Sequence, residues 1–168
     1  MIDDVKTDEI LSQYEILGTT NEWRKKLIFL STLLYANRLQ TACDKIDDRV
    51  SIKQWVMLIM TVQYKNPPTL SQLSEVLGCS RQNVKKIALT LEKKGYINLV
   101  RGEKDGRALA VVLTEKTKEY FDGENEKQMK ALETVFSKLN EDEISELFKL
   151  LLKLYGGIEE LEKEVDLK

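Results

Sequence analysis

Between Thr69 and Thr114 the chain sets out two short helical patterns, a glycine stop after each, and a hairpin. The strings are TLSQLSEVLGCS, RQNVKKIALTLEKKG and YINLVRGEKDGRALAVVLT. Thr69 with Gln72 three residues on is a capping box, in which two side chains satisfy two of the free N–H groups at a helix start. Leu70, Leu73, Val76 and Leu77 recur at helical spacing as an inward stripe. Gly78 stops that helix, since glycine readily takes the left-handed conformation found after a helix end. Ser80 is a good N-cap for the next helix, which runs to Gly95. Tyr96–Arg101 and Arg107–Leu113 are rich in β-branched and large apolar residues, as strands are. Gly102-Glu103-Lys104-Asp105-Gly106 between them is turn chemistry. The order reads as a helix-turn-helix over 69–94 followed by a wing over 96–113.

The flanks read as helices. Thr19 with Glu22 fits a capping box, opening a helix with Trp23, Leu27, Leu30 and Leu34 inward that runs to about Thr41. Ser51 with Gln54 opens another over Trp55–Tyr64, before Pro67-Pro68. Thr114 is expected to cap a long helix toward Leu139, and Asn140 with Glu143 to open the last one. There Ile144, Leu147, Leu151, Leu154, Ile158, Leu161 and Val165 alternate spacings of three and four, an apolar heptad seam. Gly156-Gly157 interrupts it, and each glycine costs about 1 kcal/mol against alanine, so a kink or stop is expected there. A seam of this length needs a second surface, for which a second subunit is the expected source. The predicted fold is mainly α with a small β-hairpin wing (α+β): a winged helix-turn-helix core with N- and C-terminal dimerisation helices. It forms one domain over 1–168, with the winged helix at 46–114 and the dimerisation helices at 19–45 and 115–168.

With 168 residues, 42% of them hydrophobic, the chain can bury a core. Its net charge of -2 hides an uneven distribution. Residues 69–114 hold 8 Lys/Arg against 4 Asp/Glu, and residues 115–168 hold 9 against 15. The winged segment is basic and the C-terminal segment acidic. Asp3, Asp4, Asp8 and Glu9 stand where a secretory signal carries basic residues, and no apolar run approaches a membrane span. A cytoplasmic protein with no membrane partner is expected. Cys43 and Cys79 make no CxxC or disulfide framework. Histidine is absent, which removes the commonest general base and zinc ligand. No nucleophile elbow, P-loop or dinucleotide fingerprint appears. An enzyme, a cofactor and a metal site are therefore not expected.

Placed on a wheel at 100° per residue, the second motif helix turns Val84, Ile87, Ala88 and Leu91 inward. Gln82, Lys86, Leu89 and Lys93 face outward, flanked by Asn83, Lys85 and Thr90. A helix of this kind fits the major groove, where amides read adenine and long cations read guanine or hold phosphate. Ser80, Arg81, Gln82 and Asn83 form the first turn, which enters deepest in helix-turn-helix docking. Leu89 either meets a thymine methyl or is a tolerated surface leucine. On the wing, Arg101, Lys104 and Arg107 surround the tip, and Asp105 is within reach to hold Arg107 by a paired hydrogen bond. A narrow minor groove attracts such an arginine.

The string LGCSRQNVKKIALTLEKKGYI, followed by DGRALAVVLTEKTKEYF, resembles the MarR family of bacterial transcription regulators over about Thr20 to Tyr155. Its most specific parts are LEKKGYI, the Asp105-x-Arg107 of the wing, and LTEK at Leu113–Lys116. The resemblance implies a homodimer built on the first and last helices, including Trp23, Leu27, Leu30, Ile144, Leu147, Leu151, Leu154, Ile158 and Leu161. Each subunit would present a winged helix to half of a pseudo-palindromic double-stranded DNA operator, usually as a repressor. Members of the family often release DNA when a small aromatic acid or phenol binds between dimer region and winged helix. Trp23, Tyr35, Trp55 and Tyr64 are candidates to line that site, with Arg24 or Arg38 for a carboxylate. Gly106 stands where a second wing arginine is common. Thr117 replaces a usual glycine, a change expected to matter little. Cys79, just before an N-cap, is either a redox-sensitive thiol or a half-buried turn residue. The alternative for the whole chain is a winged helix used for protein contact.

Overall fold

The computed structural model describes residues 12–14, 16–101, 108–123 and 125–166. In chain order the elements are α1 (Asn21–Ile46), α2 (Ile52–Val62), α3 (Leu70–Val76), α4 (Arg81–Lys93), β1 (Ile97–Arg101), β2 (Leu109–Leu113), α5 (Glu115–Gly123), α6 (Asn125–Phe136) and α7 (Glu141–Asp166). The architecture is mostly helical with one antiparallel hairpin, as the sequence predicts.

The helix starts follow their capping residues. At α2 the Gln54 amide N–H donates to Ser51 Oγ at 3.4 Å and the Ser51 N–H returns to Gln54 Oε1 at 3.2 Å. Thr69 and Gln72 do the same for α3, at 3.2 and 2.8 Å. Asn140 and Glu143 open α7 with two bonds of 2.9 Å. Each such cap is worth about 1 kcal/mol. At α1 the cap is Thr20 rather than Thr19: the Trp23 N–H donates to Thr20 Oγ1 at 3.3 Å. Glu22 then lies inside the first turn, and its carboxylate pairs with Lys26 at 2.6 Å instead of closing a box.

The chain falls into two units, one up to Glu119 and one from Tyr120 on. In the first, the core joins Met57 and Leu58 of α2, Leu73 of α3, Val84, Ala88 and Leu91 of α4, and Ile97 and Val111 of the hairpin, all buried. Burying a side chain of this size contributes about 2 kcal/mol. Val76 departs from the expected stripe at 45% exposure. Ser74 is buried in its place, its hydroxyl donating to Ser71 O at 2.7 Å, so the inward face of α3 is centred on Leu73 and Ser74. The hairpin pairs Ile97 with Leu113 and Arg101 with Leu109. Strand β2 is tied to the start of α3 by Val111 N–H to Pro68 O at 2.9 Å and a bridge between Thr69 and Ala110.

Helix α1 has 26 residues and none is buried. The stretch expected as one helix from Thr114 toward Leu139 comprises α5 and α6 on either side of residue 124, which lies outside the described residues. Helix α7 runs without a break through Gly156 and Gly157, neither of which has a positive φ. The expected kink is absent because two glycines weaken a helix by only about 1 kcal/mol each, and the flanking turns continue the ladder. Among the described residues, no helix is long and apolar enough to cross a membrane.

Candidate nucleic-acid interface

The outer face of α4 is the candidate surface. Its approach is set by Gly78, whose φ of 57° is left-handed and therefore suits glycine. The Cys79 N–H bonds to Ser74 O at 3.1 Å and the Gly78 N–H to Glu75 O at 3.2 Å, a Schellman closure of α3. Ser80 then caps α4, accepting from the Asn83 N–H at 3.3 Å. Val84, Ala88 and Leu91 are fully buried, which fixes the roll of the helix. Ser80, Arg81, Gln82, Asn83, Lys85, Lys86, Leu89, Thr90 and Lys93 are consequently all exposed. From Gln82 to Lys93 this face is about 16 Å long at 1.5 Å per residue. Thr90 is partly committed, since its hydroxyl donates to Lys86 O at 2.9 Å. Leu89 is 47% exposed between cations. Arg101 is exposed at the end of β1. Lys104, Asp105 and Arg107, and with them the expected Asp–Arg pair, lie outside the described residues.

The corner where α4 hands over to β1 carries residues to which the sequence reading assigns no role. Gly95 takes a φ of 80°, and the Tyr96 N–H closes the helix on Leu91 O at 3.0 Å. Lys94 turns its ammonium inward, donating to Arg49 O at 2.7 Å and Gln54 Oε1 at 3.0 Å. Glu92 accepts from the Leu99 N–H at 2.7 Å, binding α4 to the wing. Lys116 Nζ donates to Lys94 O at 2.7 Å and stands 4.6 Å from the Tyr96 ring centre. Thr114 does not spend its hydroxyl on α5. It donates to the carbonyls of Gly95 and Tyr96, at 2.7 and 2.9 Å. Thr117 is fully buried and its hydroxyl also donates to Tyr96 O. The expectation that Thr117 matters little is thus overturned, because it bonds a carbonyl at the wing root that a glycine could not reach. Burial raises the Tyr96 phenol above its usual pKa, with Arg49 lowering and Asp47 raising it to lesser extents. Helical spacing held the signal for Lys94: it is three residues after Leu91 and seven after Ile87, on the inward side.

Beside α4 a cleft of ≈ 360 Å³ opens between α1, α2 and the α3–α4 turn. Leu39, Ile52, Val56, Leu77 and Ile87 supply apolar walls, and Gln40, Lys53, Cys79 and Asn83 polar ones. Trp23, Tyr35, Trp55 and Tyr64 do not line it. Trp23 is exposed under the Lys26 ammonium, 5.0 Å from its ring centre, and Tyr35 is exposed on α1. Trp55 and Tyr64 are half-buried. Arg24 is engaged locally, donating to Gly18 O at 2.7 Å and Asn21 Oδ1 at 3.3 Å, while Arg38 is exposed. Cys43 and Cys79 are free thiols of intermediate exposure. Of the expected dimer residues, Leu27 is half-buried, whereas Trp23, Leu30, Ile144, Leu147, Leu151, Leu154, Ile158 and Leu161 are exposed in the single chain.

The family model of the transcriptional regulator SarA/Rot matches residues 38–123, about half of the chain. The transcriptional repressor MprA of Escherichia coli is 34% identical over 94 residues, covering 56% of this chain and 53% of MprA. The match thus spans about half the length of that relative. A MarR/EmrR family regulator from an Acinetobacter species has the same fold, with a TM-score of 0.71 at 20% identity over 81% of this chain and 97% of that one. PcaV of Streptomyces coelicolor, solved in complex with its natural ligand, superposes with a TM-score of 0.61 at 17% identity over 83% of this chain and 94% of PcaV.

Proposed function

Since the chain belongs to the SarA/Rot family and is a winged-helix transcriptional regulator of the MarR type, we propose that it acts as a homodimeric repressor on a pseudo-palindromic operator. Each subunit sets α4 into the major groove of one half-site, with half-site centres about one turn, ~10 bp, apart. The observation that carries this reading is the exposed outer face of α4, with Gln82 and Asn83 in its first turn and Lys85, Lys86 and Lys93 behind them. The amides read base edges, and the lysines hold phosphates and release counterions. Arg107 serves as the minor-groove arginine of the wing. MprA is a repressor by name, which supports that sign of regulation.

In the same reading a small aromatic acid releases the DNA. The cleft beside α4 is its place, because Asn83 and Ile87 of α4 themselves line it. A ring would lie against Leu39, Val56 and Ile87 while its carboxylate meets Lys53. That PcaV binds a ligand supports this mode in the fold.

Fluorescence anisotropy on duplexes selected from a random library tests the DNA reading. Tight binding with a steep salt slope is expected, and Gln82→Ala relaxes base preference at one position by about 1–3 kcal/mol. Loss of affinity that is uniform across all sequences would reduce Gln82 to a positioning contact. A wild-type protein that binds no duplex returns the winged helix to protein contact.

A further inference from the structure

Lys93 and Lys94 are adjacent, chemically identical, and oppositely placed. Lys93 is exposed on the outer face of α4. Lys94 is half-buried and directs its ammonium at Arg49 O and Gln54 Oε1, 2.7 and 3.0 Å away. We propose that Lys94 is a positioning residue for DNA binding: it pins the C-terminal end of α4 to α2 and so sets the angle at which the far, reading end, with Gln82 and Asn83, meets the base edges. The inference rests on the DNA-binding reading of α4.

The contacts around it make one brace. Arg49 lies in the segment between α1 and α2, and Gln54 belongs to the capping box that opens α2. Lys94 therefore ties α4 to the capped start of α2. On the opposite sides, Glu92 accepts from Leu99 of β1 at 2.7 Å, and Lys116 of α5 donates to Lys94 O at 2.7 Å. The last turn of α4 is thus bonded to α2, β1 and α5 at once. Val84, Ala88 and Leu91 fix the depth of the helix, but apolar contact is non-directional and tolerates tilt. Directional bonds at one end remove that freedom. Asn83 is about 16 Å from Lys94 along the axis. A tilt of about 5° at the pinned end would displace the reading end by roughly 1.4 Å, more than a hydrogen bond tolerates.

Lysine can do two jobs at a DNA interface. A phosphate contact contributes about 0.9 to the salt slope of duplex binding and acts alike on every sequence. A positioning contact leaves the slope alone and acts on sequence preference. The test measures anisotropy over a salt series, using a duplex selected by the full-length protein and an unrelated duplex of equal length. Lys93→Met is expected to lower the slope by about 0.9 and weaken both duplexes alike. Lys94→Met is expected to keep the wild-type slope, to weaken the selected duplex about tenfold, and to change the unrelated one less than about twofold. A reduced slope for Lys94→Met, or equal weakening of both duplexes, overturns the proposal. So does unchanged selectivity in a variant that circular dichroism shows to be folded. If Lys94→Met does not fold, Lys116→Met decides. It removes the outer strut, together with the ammonium over the Tyr96 ring, from an exposed side chain, and must lower selectivity about threefold; no change overturns the proposal. Absence of duplex binding by the wild type overturns the underlying DNA reading instead, which sets the two failures apart.

Discussion

Helix α4 and helix α7 are both amphipathic, yet they stand in opposite states within one chain. In the 13 residues of α4 the inward side chains Val84, Ala88 and Leu91 are completely buried. In the 26 residues of α7 the whole seam is open, from 36% exposure at Leu147 to 63% at Val165. The first pattern is satisfied by α2, α3 and the hairpin. The second leaves its apolar residues exposed in the single chain. A monomer seldom leaves so long an apolar stripe in water, so on the homodimer proposed above the first region is finished by folding and the second by assembly.

The comparison breaks most sharply at the seam. Replacing Leu151 and Leu154 together by Glu is expected to raise the dimer dissociation constant by at least about a thousandfold, since each lost apolar contact is worth about 2 kcal/mol. Sedimentation equilibrium reads this directly. A double variant that stays dimeric means that the seam is not the interface. The winged core gives the contrast: Leu73→Ala should lower the unfolding free energy by about 2–5 kcal/mol in urea, with association of the folded protein unchanged. A shift in oligomeric state with that variant would erase the distinction between the two regions. The smallest effect tests the middle of α7. A Cβ added at Gly156 or Gly157 meets no atom within 4 Å. Gly156→Ala should therefore stabilise α7 by about 1 kcal/mol on thermal melting. A loss of stability together with weaker dimerisation would show that a partner backbone approaches at the glycines.

Much of this is legible in the sequence. The capping pairs Ser51–Gln54, Thr69–Gln72 and Asn140–Glu143 are local, so three-residue spacing is enough to find them. The split of α4 into buried Val84, Ala88 and Leu91 and exposed Gln82, Lys86, Leu89 and Lys93 follows from a 100° step. The misses have two causes, a close local choice in one case and packing by distant elements in the others. Thr20 replaces Thr19 as cap because the helix begins one residue later, a choice made between near-equal local options. Val76 is exposed because α4 and the hairpin cover Leu73 and Ser74 instead. Thr117, noticed only as a departure from a glycine, proves buried because the chain returns Tyr96 O to its hydroxyl from 21 residues away.

By itself the sequence determined the order of elements, their caps, and which face of α4 carries amides and cations, because all of these depend on groups within about a turn of one another. Only the tertiary structure decided which groups receive the inward lysine of the Lys93–Lys94 pair. The groups that receive Lys94 are 45 and 40 residues away. No local pattern reports where a distant carbonyl will lie. The same holds for the cleft, whose polar walls come from Gln40, Lys53 and Asn83 on three helices. Chemistry read along the chain names the side chains. The packing of α2 against α4 settles which of them are left free to meet a partner.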